Sequence, residues 1–163
     1  MKLIVLFFTA LWLFGKGGEI LGYLKNITLA EQVRHANGDS TVLRGEEVTA
    51  VNLTDLQLTS GFASILGLVV GLIVSLIICK KRNWHWLNPV LSSIIVYLIG
   101  WVKLGETNFI ARLLRLPGEM FDGVAYYLIN GLVCILLALL IFVLMAKMKY
   151  PNNYISDAKL QSA

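Results

Sequence analysis

The chain has 163 residues, of which 57% are hydrophobic and only 15% charged, and its mean hydropathy is +0.73. Charged residues make up about a quarter of an ordinary soluble domain, so this composition excludes one and indicates a single compact membrane domain. The net charge of +4 does not indicate a nucleic-acid partner, because the basic residues lie at the ends of apolar segments, where they serve membrane topology.

The first apolar segment follows Lys2 directly and has two interpretations. It is either the hydrophobic region of a cleaved signal peptide or the start of a membrane helix that continues to residue 24. No small-x-small site containing Ala follows, so we expect an uncleaved span over residues 2–24. In that span Lys16 and Glu19 lie three residues apart on one face, in the outer third of the helix. Charge is costly at that depth, so the pair either extends to the interface, which we favour, or belongs to an ion or proton path.

Residues 25–59 are polar and have too few apolar side chains for a core of their own. They predict a partly structured outer loop that lies over the ends of the helices. Within it, Thr28 and Glu31 have the spacing of a helix-capping box, which predicts a short helix there. The β-branched residues between positions 40 and 54 predict one or two short strands.

The second span is residues 60–79, which contain no charge. At about 1.5 Å per residue, a helix of this length covers the roughly 30 Å of a bilayer's hydrocarbon core. A basic cluster directly after a span is retained in the cytoplasm, and neighbouring tryptophans lie at the lipid headgroups. The residues assigned to this inner interface are Lys80, Lys81, Arg82, Trp84 and Trp86.

Small residues recur at every fourth position of this span. They are Ala63, Gly67, Gly71 and Ser75. On a helix these positions form one continuous groove, which allows another backbone to approach closely. The groove predicts a helix-packing face, with a pore lined by small groups as the alternative.

Two more spans follow, over residues 89–104 and 124–146. The polar stretch between them has an amphipathic pattern, which predicts a short helix in the outer interface that presents Arg112 and Arg115 to headgroups. Asn130 is the only amide within any span, so we expect it to hydrogen-bond to another helix.

Together these elements predict an all-α bundle of four transmembrane helices. The membrane domain covers residues 1–150, and residues 151–163 form a flexible cytoplasmic tail. The basic clusters at the span ends place both termini in the cytoplasm. We expect a multi-pass protein of the bacterial inner (plasma) membrane.

The sequence predicts no enzyme, no cofactor and no metal site, because it contains no nucleophile and base at a recognisable spacing, no glycine-rich phosphate loop and no cluster of metal ligands. We therefore expect a non-catalytic subunit, assembly or regulatory partner. Its partners would be the lipid bilayer and another membrane protein or a second copy of itself, bound through helix packing. The alternative is a small oligomeric channel or transporter. Its path would be lined by Lys16, Glu19, Ser92, Ser93 and Asn130.

Overall fold

A computed structural model of the protein describes residues 2–36, 49–101 and 116–148, and all regular secondary structure in these ranges is helical. The α-helices are α1 (Lys2–Gly22), α2 (Ile27–Ala36), α3 (Ala50–Arg82), α4 (Leu87–Trp101) and α5 (Val124–Lys147). Short 3-10 turns lie at Tyr23–Asn26 and at Leu116–Gly118.

Three helical stretches are long and apolar enough to cross a membrane. They are Leu3–Ala36, which joins α1 to α2, Val51–Arg82 and Val124–Lys147. The chain therefore has the features of a multi-pass, all-α integral membrane protein, as the sequence predicts. The remaining apolar helix, α4, has only 15 residues and is shorter than a usual span.

The first helix, α1, is the centre of the bundle. α3, α4 and α5 each pack along it and have few contacts with one another. The most apolar 18 residues of the stretch that contains α1 have a mean hydropathy of 1.6, against 2.8 for those of α3 and 3.0 for those of α5, yet 44% of them are buried, against 22% and 33%. The most apolar helices are therefore those that expose most surface, because a side chain that faces lipid must be apolar and a side chain packed among helices need not be.

α3 begins at Ala50, so the last part of the predicted outer loop is helical and continuous with the predicted span. Thr49 caps the helix, since its side-chain oxygen accepts a hydrogen bond from the backbone N–H of Asn52 at 3.2 Å. Leu53 and Leu56 then pack in a cluster near the outer end of the bundle. This packing outweighs the strand preference of the β-branched residues, so the prediction of strands is wrong for residues 50–54.

The short helix predicted in the outer loop corresponds to α2, but it does not start at a cap on Thr28. The chain passes from α1 through the 3-10 turn Tyr23–Asn26 directly into Ile27, so Thr28 already lies within the helix. Leu29 and Ala30 are buried on the side of α2 that packs in the same outer cluster as Leu56. Tertiary packing and a long hydrogen bond from the Leu29 N–H to Asn26 Oδ1, at 3.5 Å, thus stand in place of a cap at Thr28.

The last two helices lie close to their predicted positions. α5 ends one residue beyond the predicted span 124–146, and α4 begins two residues before the predicted span 89–104. The side chain of His85 accepts a hydrogen bond from the backbone N–H of Leu87 at 3.3 Å, where α4 starts. The predicted interfacial helix with Arg112 and Arg115, and the tail over residues 151–163, lie outside the described residues.

Candidate functional site

The small-residue face of α3 packs against the glycines of α1. A Cβ atom added to Gly67 would overlap the carbonyl oxygen of Phe14, and one added to Gly18 would overlap that of Ala63. One added to Gly22 would meet the Cα of Ser60 at 2.8 Å. The two backbones are therefore in direct contact, which only glycine permits at these positions.

The inner half of this face is also filled from within the chain. A Cβ atom on Gly71 would meet the side chains of Leu11 and Phe14 at 3.1 and 3.2 Å. Ser75 is fully buried and donates a hydrogen bond to the Gly71 carbonyl at 2.8 Å. The face therefore holds the bundle together, and it is not open to a helix of another protein.

Lys16 and Glu19 form an ion pair on α1, with the Lys16 Nζ 2.9 Å from Oε1 and 2.8 Å from Oε2 of Glu19. Their side chains are only 13% and 24% exposed. Gly17, between them in the sequence, lies against Cys134 and Ile135 near the middle of α5. The pair thus lies within the helical bundle, where mutual pairing offsets the cost of removing each charge from water.

Asn130 is fully buried, but its partner is not the second helix that the sequence predicts. Its Oδ1 accepts a hydrogen bond from the backbone N–H of Gly118 at 3.0 Å, in the 3-10 turn before α5. Gly118 contacts the Asn130 amide so closely that a Cβ atom on residue 118 would overlap the amide. Among the described residues, the Asn130 Nδ2 has no hydrogen-bond partner. The Asn130 side chain on α5 therefore holds the 3-10 turn Leu116–Gly118 in place. The spacing of residues in the sequence does not reveal this contact.

The basic segment at the C-terminal end of α3 and the turn after it separate into exposed and packed side chains. Lys80 and Lys81 are exposed, and Arg82 is partly exposed. Trp86 is 58% exposed, whereas Trp84 packs edge-on against the ring of Phe7, with centroids 6.3 Å apart. Trp86 thus remains available to headgroups, while Trp84 contributes to the core of the bundle.

A polar cluster at the outer end was not predicted from the sequence. Arg34 of α2 lies 3.1 Å from a carboxylate oxygen of Glu31 and 2.6 Å from one of Asp122, which precedes α5. Its guanidinium also lies over the ring of Tyr126, 4.2 Å from the centroid. Of these contacts, the sequence indicates only the pair of Glu31 and Arg34, which are three residues apart on one helix. Asp122 is 88 residues from Arg34.

The same cluster contains the one group of described residues spaced to hold a metal ion. Glu31, His35 and Asp122 each offer one ligand atom, and these atoms lie within 4.8 Å of one another. However, Arg34 already bonds to both carboxylates, and His35 lies 3.3 Å from the same Glu31 oxygen that Arg34 contacts. As arranged, the cluster is an ion-pair network that connects α2 to the start of α5.

Neither cysteine has the surroundings of a nucleophile. Cys79 and Cys134 are both buried free thiols. In the described part of the chain, neither is hydrogen-bonded to a base that could activate it.

Comparisons of the chain with protein-family models, with curated proteins and with solved structures find no match. The function must therefore be inferred from the packing, the charges and the exposed surface.

Proposed function

We propose that the protein is a four-span, non-catalytic integral membrane protein that acts as a subunit, assembly or regulatory partner of another membrane protein. In this topology α1, α3, α4 and α5 cross the bilayer, and both termini are cytoplasmic. The observation that carries the proposal is the exposed apolar face of α3, which extends past the end of its membrane span.

Contacts between helices support a common outer level for the bundle. Gly22 of α1 lies against Ser60 of α3. One residue earlier in α1, the Leu21 side chain lies against Gly131 of α5, where an added Cβ atom would meet it at 2.7 Å. These positions mark one level, and the lysines that end the apolar segments mark the other.

The distance between these two levels is close to the thickness of the hydrocarbon core of a bilayer. Lys2–Gly22 and residues 60–80 each cover about 30 Å at 1.5 Å per residue, and residues 130–147 cover about 26 Å. α4 covers only about 22 Å. It packs along α1, and the Ser92 hydroxyl donates hydrogen bonds to the carbonyls of Asn88 and Ile4. A fourth span of this length fits where the bilayer is locally thin.

The partner surface follows from what covers each side of α3. Its small-residue face is filled by α1, so a partner must use the opposite face. Large apolar side chains there are 44–75% exposed, and those of Val51 and Leu58 lie beyond the outer level marked by Ser60. Lipid solvates the part of this face within the span, but it does not cover Val51, which lies about 13 Å farther along the helix. A hydrophobic partner at the outer end of α3 would cover this surface.

Site-specific photocrosslinking in native membranes tests this proposal. A photoreactive amino acid at Leu58 or Phe62 should give one discrete crosslinked species, and the same probe at Leu132 of α5, which is 50% exposed, should give none. Mass spectrometry then identifies the crosslinked protein, including a second copy of this chain. Identical diffuse labelling at all three positions would contradict a partner surface on α3.

The alternative, a small oligomeric channel or transporter, is favoured by the ion pair of Lys16 and Glu19. Charged pairs within a membrane commonly mark ion or proton pathways. Reconstitution of the purified chain alone in liposomes separates the two functions. A subunit should produce no ion or proton flux, whereas a channel should produce flux that Glu19→Gln or Asn130→Leu reduces.

A further inference from the structure

The turn that precedes α5 lies against the side of that helix. Asn130 lies six residues after Val124, which places it about 9 Å along α5 from the start of the helix. Because the Gly118 N–H bonds to Asn130, the turn that precedes α5 lies beside the helix and not above it. Asn130 is next to Gly131, which packs at the outer level of α1, so this turn lies at the outer boundary of the bilayer.

The turn presents large apolar side chains at that level. Met120 is 91% exposed, Leu116 is 50% exposed and Phe121 is 45% exposed. The backbone around them is compact, since the N–H of Phe121 donates to the Gly118 carbonyl at 2.9 Å. Exposure of three such side chains to water is unfavourable, and insertion into the headgroup and acyl boundary removes this cost.

The next residue has the opposite character. Asp122 is exposed and bonds to Arg34, in the ion-pair network at the outer end. Within residues 116–121, Leu116, Met120 and Phe121 are apolar and Glu119 is an exposed carboxylate, and the next residue is a charge fixed to α2. This order is that of a segment with one side in lipid and the other in water.

We propose that residues 116–121 form an interfacial anchor that inserts Met120 and Phe121 into the outer leaflet, and that Asn130 is the positioning residue that holds the anchor at this depth. Its partner is the lipid surface itself. The inference rests on the proposed membrane topology, which sets the outer level, but not on the proposed subunit role.

Depth measurements with a fluorescent label test the anchor. Met120→Cys is labelled with an environment-sensitive maleimide fluorophore in the full-length protein, after reconstitution in vesicles of neutral phospholipid. Cys79 and Cys134 are 2% and 0% exposed, so the unmutated protein serves as the labelling blank. Val51→Cys and Ile73→Cys, at 75% and 53% exposed positions of α3, provide the aqueous and the mid-membrane references.

Nitroxide quenchers at two lipid depths give the result. The label at position 120 should be quenched most by a nitroxide near the headgroup end of the acyl chain, whereas the label at position 73 should be quenched most by one near the chain middle. The label at position 51 should be quenched by neither. A label at position 120 that behaves like the one at position 51, or like the one at position 73, would overturn the anchor.

A second variant tests the role of Asn130. Asn130→Leu keeps the size of the side chain but removes the acceptor for the Gly118 N–H. In this background the label at position 120 should lose its shallow quenching and respond to aqueous quenchers, while the label at position 73 keeps its own depth. An unchanged depth at position 120 would show that Asn130 does not position the turn. If Asn130→Leu prevents folding, Gly118→Ala makes the same test, because its Cβ atom would displace the turn from the amide.

Discussion

The two sides of α1 make helix contacts of different kinds. Toward α3, the contact is backbone on backbone, with Gly18 and Gly67 each lying against a carbonyl group of the other helix. Toward α5, the contact is made mainly by large side chains, such as Phe14 and Phe142, whose rings stack with centroids 5.8 Å apart. The α3 contact at Gly18 and Gly67 thus depends on the absence of side chains, whereas the α5 contact combines stacked rings with one close approach, where a Cβ atom on Gly17 would lie 3.0 Å from the Gly131 carbonyl oxygen. The first should be far less tolerant of added atoms.

Two outcomes would weaken this comparison. Either larger residues at the glycines that face α3 leave the protein stable, or they destabilise it as much on the side that faces α5. In the following experiments, the free energy of unfolding is measured in mixed micelles with an increasing fraction of denaturing detergent. Each variant has a control of the same chemistry at a position where the structure leaves room or solvent.

The largest effect is expected for Gly67→Leu. The added side chain would meet the backbone of Phe14, which cannot move aside as a flexible side chain can. We expect the free energy of unfolding to fall by about 3 kcal/mol or more, with loss of a monodisperse species at moderate temperature.

Gly61→Leu is the matched control for this experiment. It adds the same side chain to the same helix, but nothing lies within 4 Å of a Cβ atom at Gly61. We expect stability close to that of the unmodified protein. Equal destabilisation by both variants would mean that the loss comes from helix propensity or insertion, and not from the α1 contact.

A smaller loss is expected for Glu19→Gln, which leaves the charge of Lys16 without its partner inside the bundle. Breaking a buried ion pair costs several kcal/mol, and the partial exposure of both groups reduces this to about 2 kcal/mol. Asp55→Asn is the control, because Asp55 pairs with Lys25 at 3.8 Å while both side chains are at least 60% exposed. That change should be nearly neutral. A neutral Glu19→Gln would show that Lys16 reaches water or headgroups on its own.

Sequence patterns predicted the helical class, α5 to within one residue at its end, and the residues of the small face. They did not predict which helix is central, because hydropathy reports exposure to lipid and α1 is the helix most shielded from it. The start of α3 and the cap of α2 were also missed, since Leu53, Leu56 and Leu29 stabilise these helices through contacts between elements. The pairing of Asn130 with Gly118 and of Arg34 with Asp122 depends on chain segments that meet only in the folded protein.

The smallest effect, and the sharpest test of the comparison, is expected for Gly131→Ala on the α5 side. Its new methyl group would meet Cγ and Cδ2 of Leu21 at 2.7 Å, which a χ1 rotation of Leu21 relieves, and would lie 3.3 Å from the Gly17 carbonyl oxygen. Gly18→Ala adds the same methyl group on the α3 side, against the Ala63 carbonyl. Both substitutions gain about 1 kcal/mol of helix propensity, so the difference between them isolates packing. We expect a loss of about 0.5 kcal/mol for Gly131→Ala and about 2 kcal/mol for Gly18→Ala. Equal losses would mean that the two sides of α1 follow the same packing rule, because then the kind of atom that meets the new methyl group would not matter.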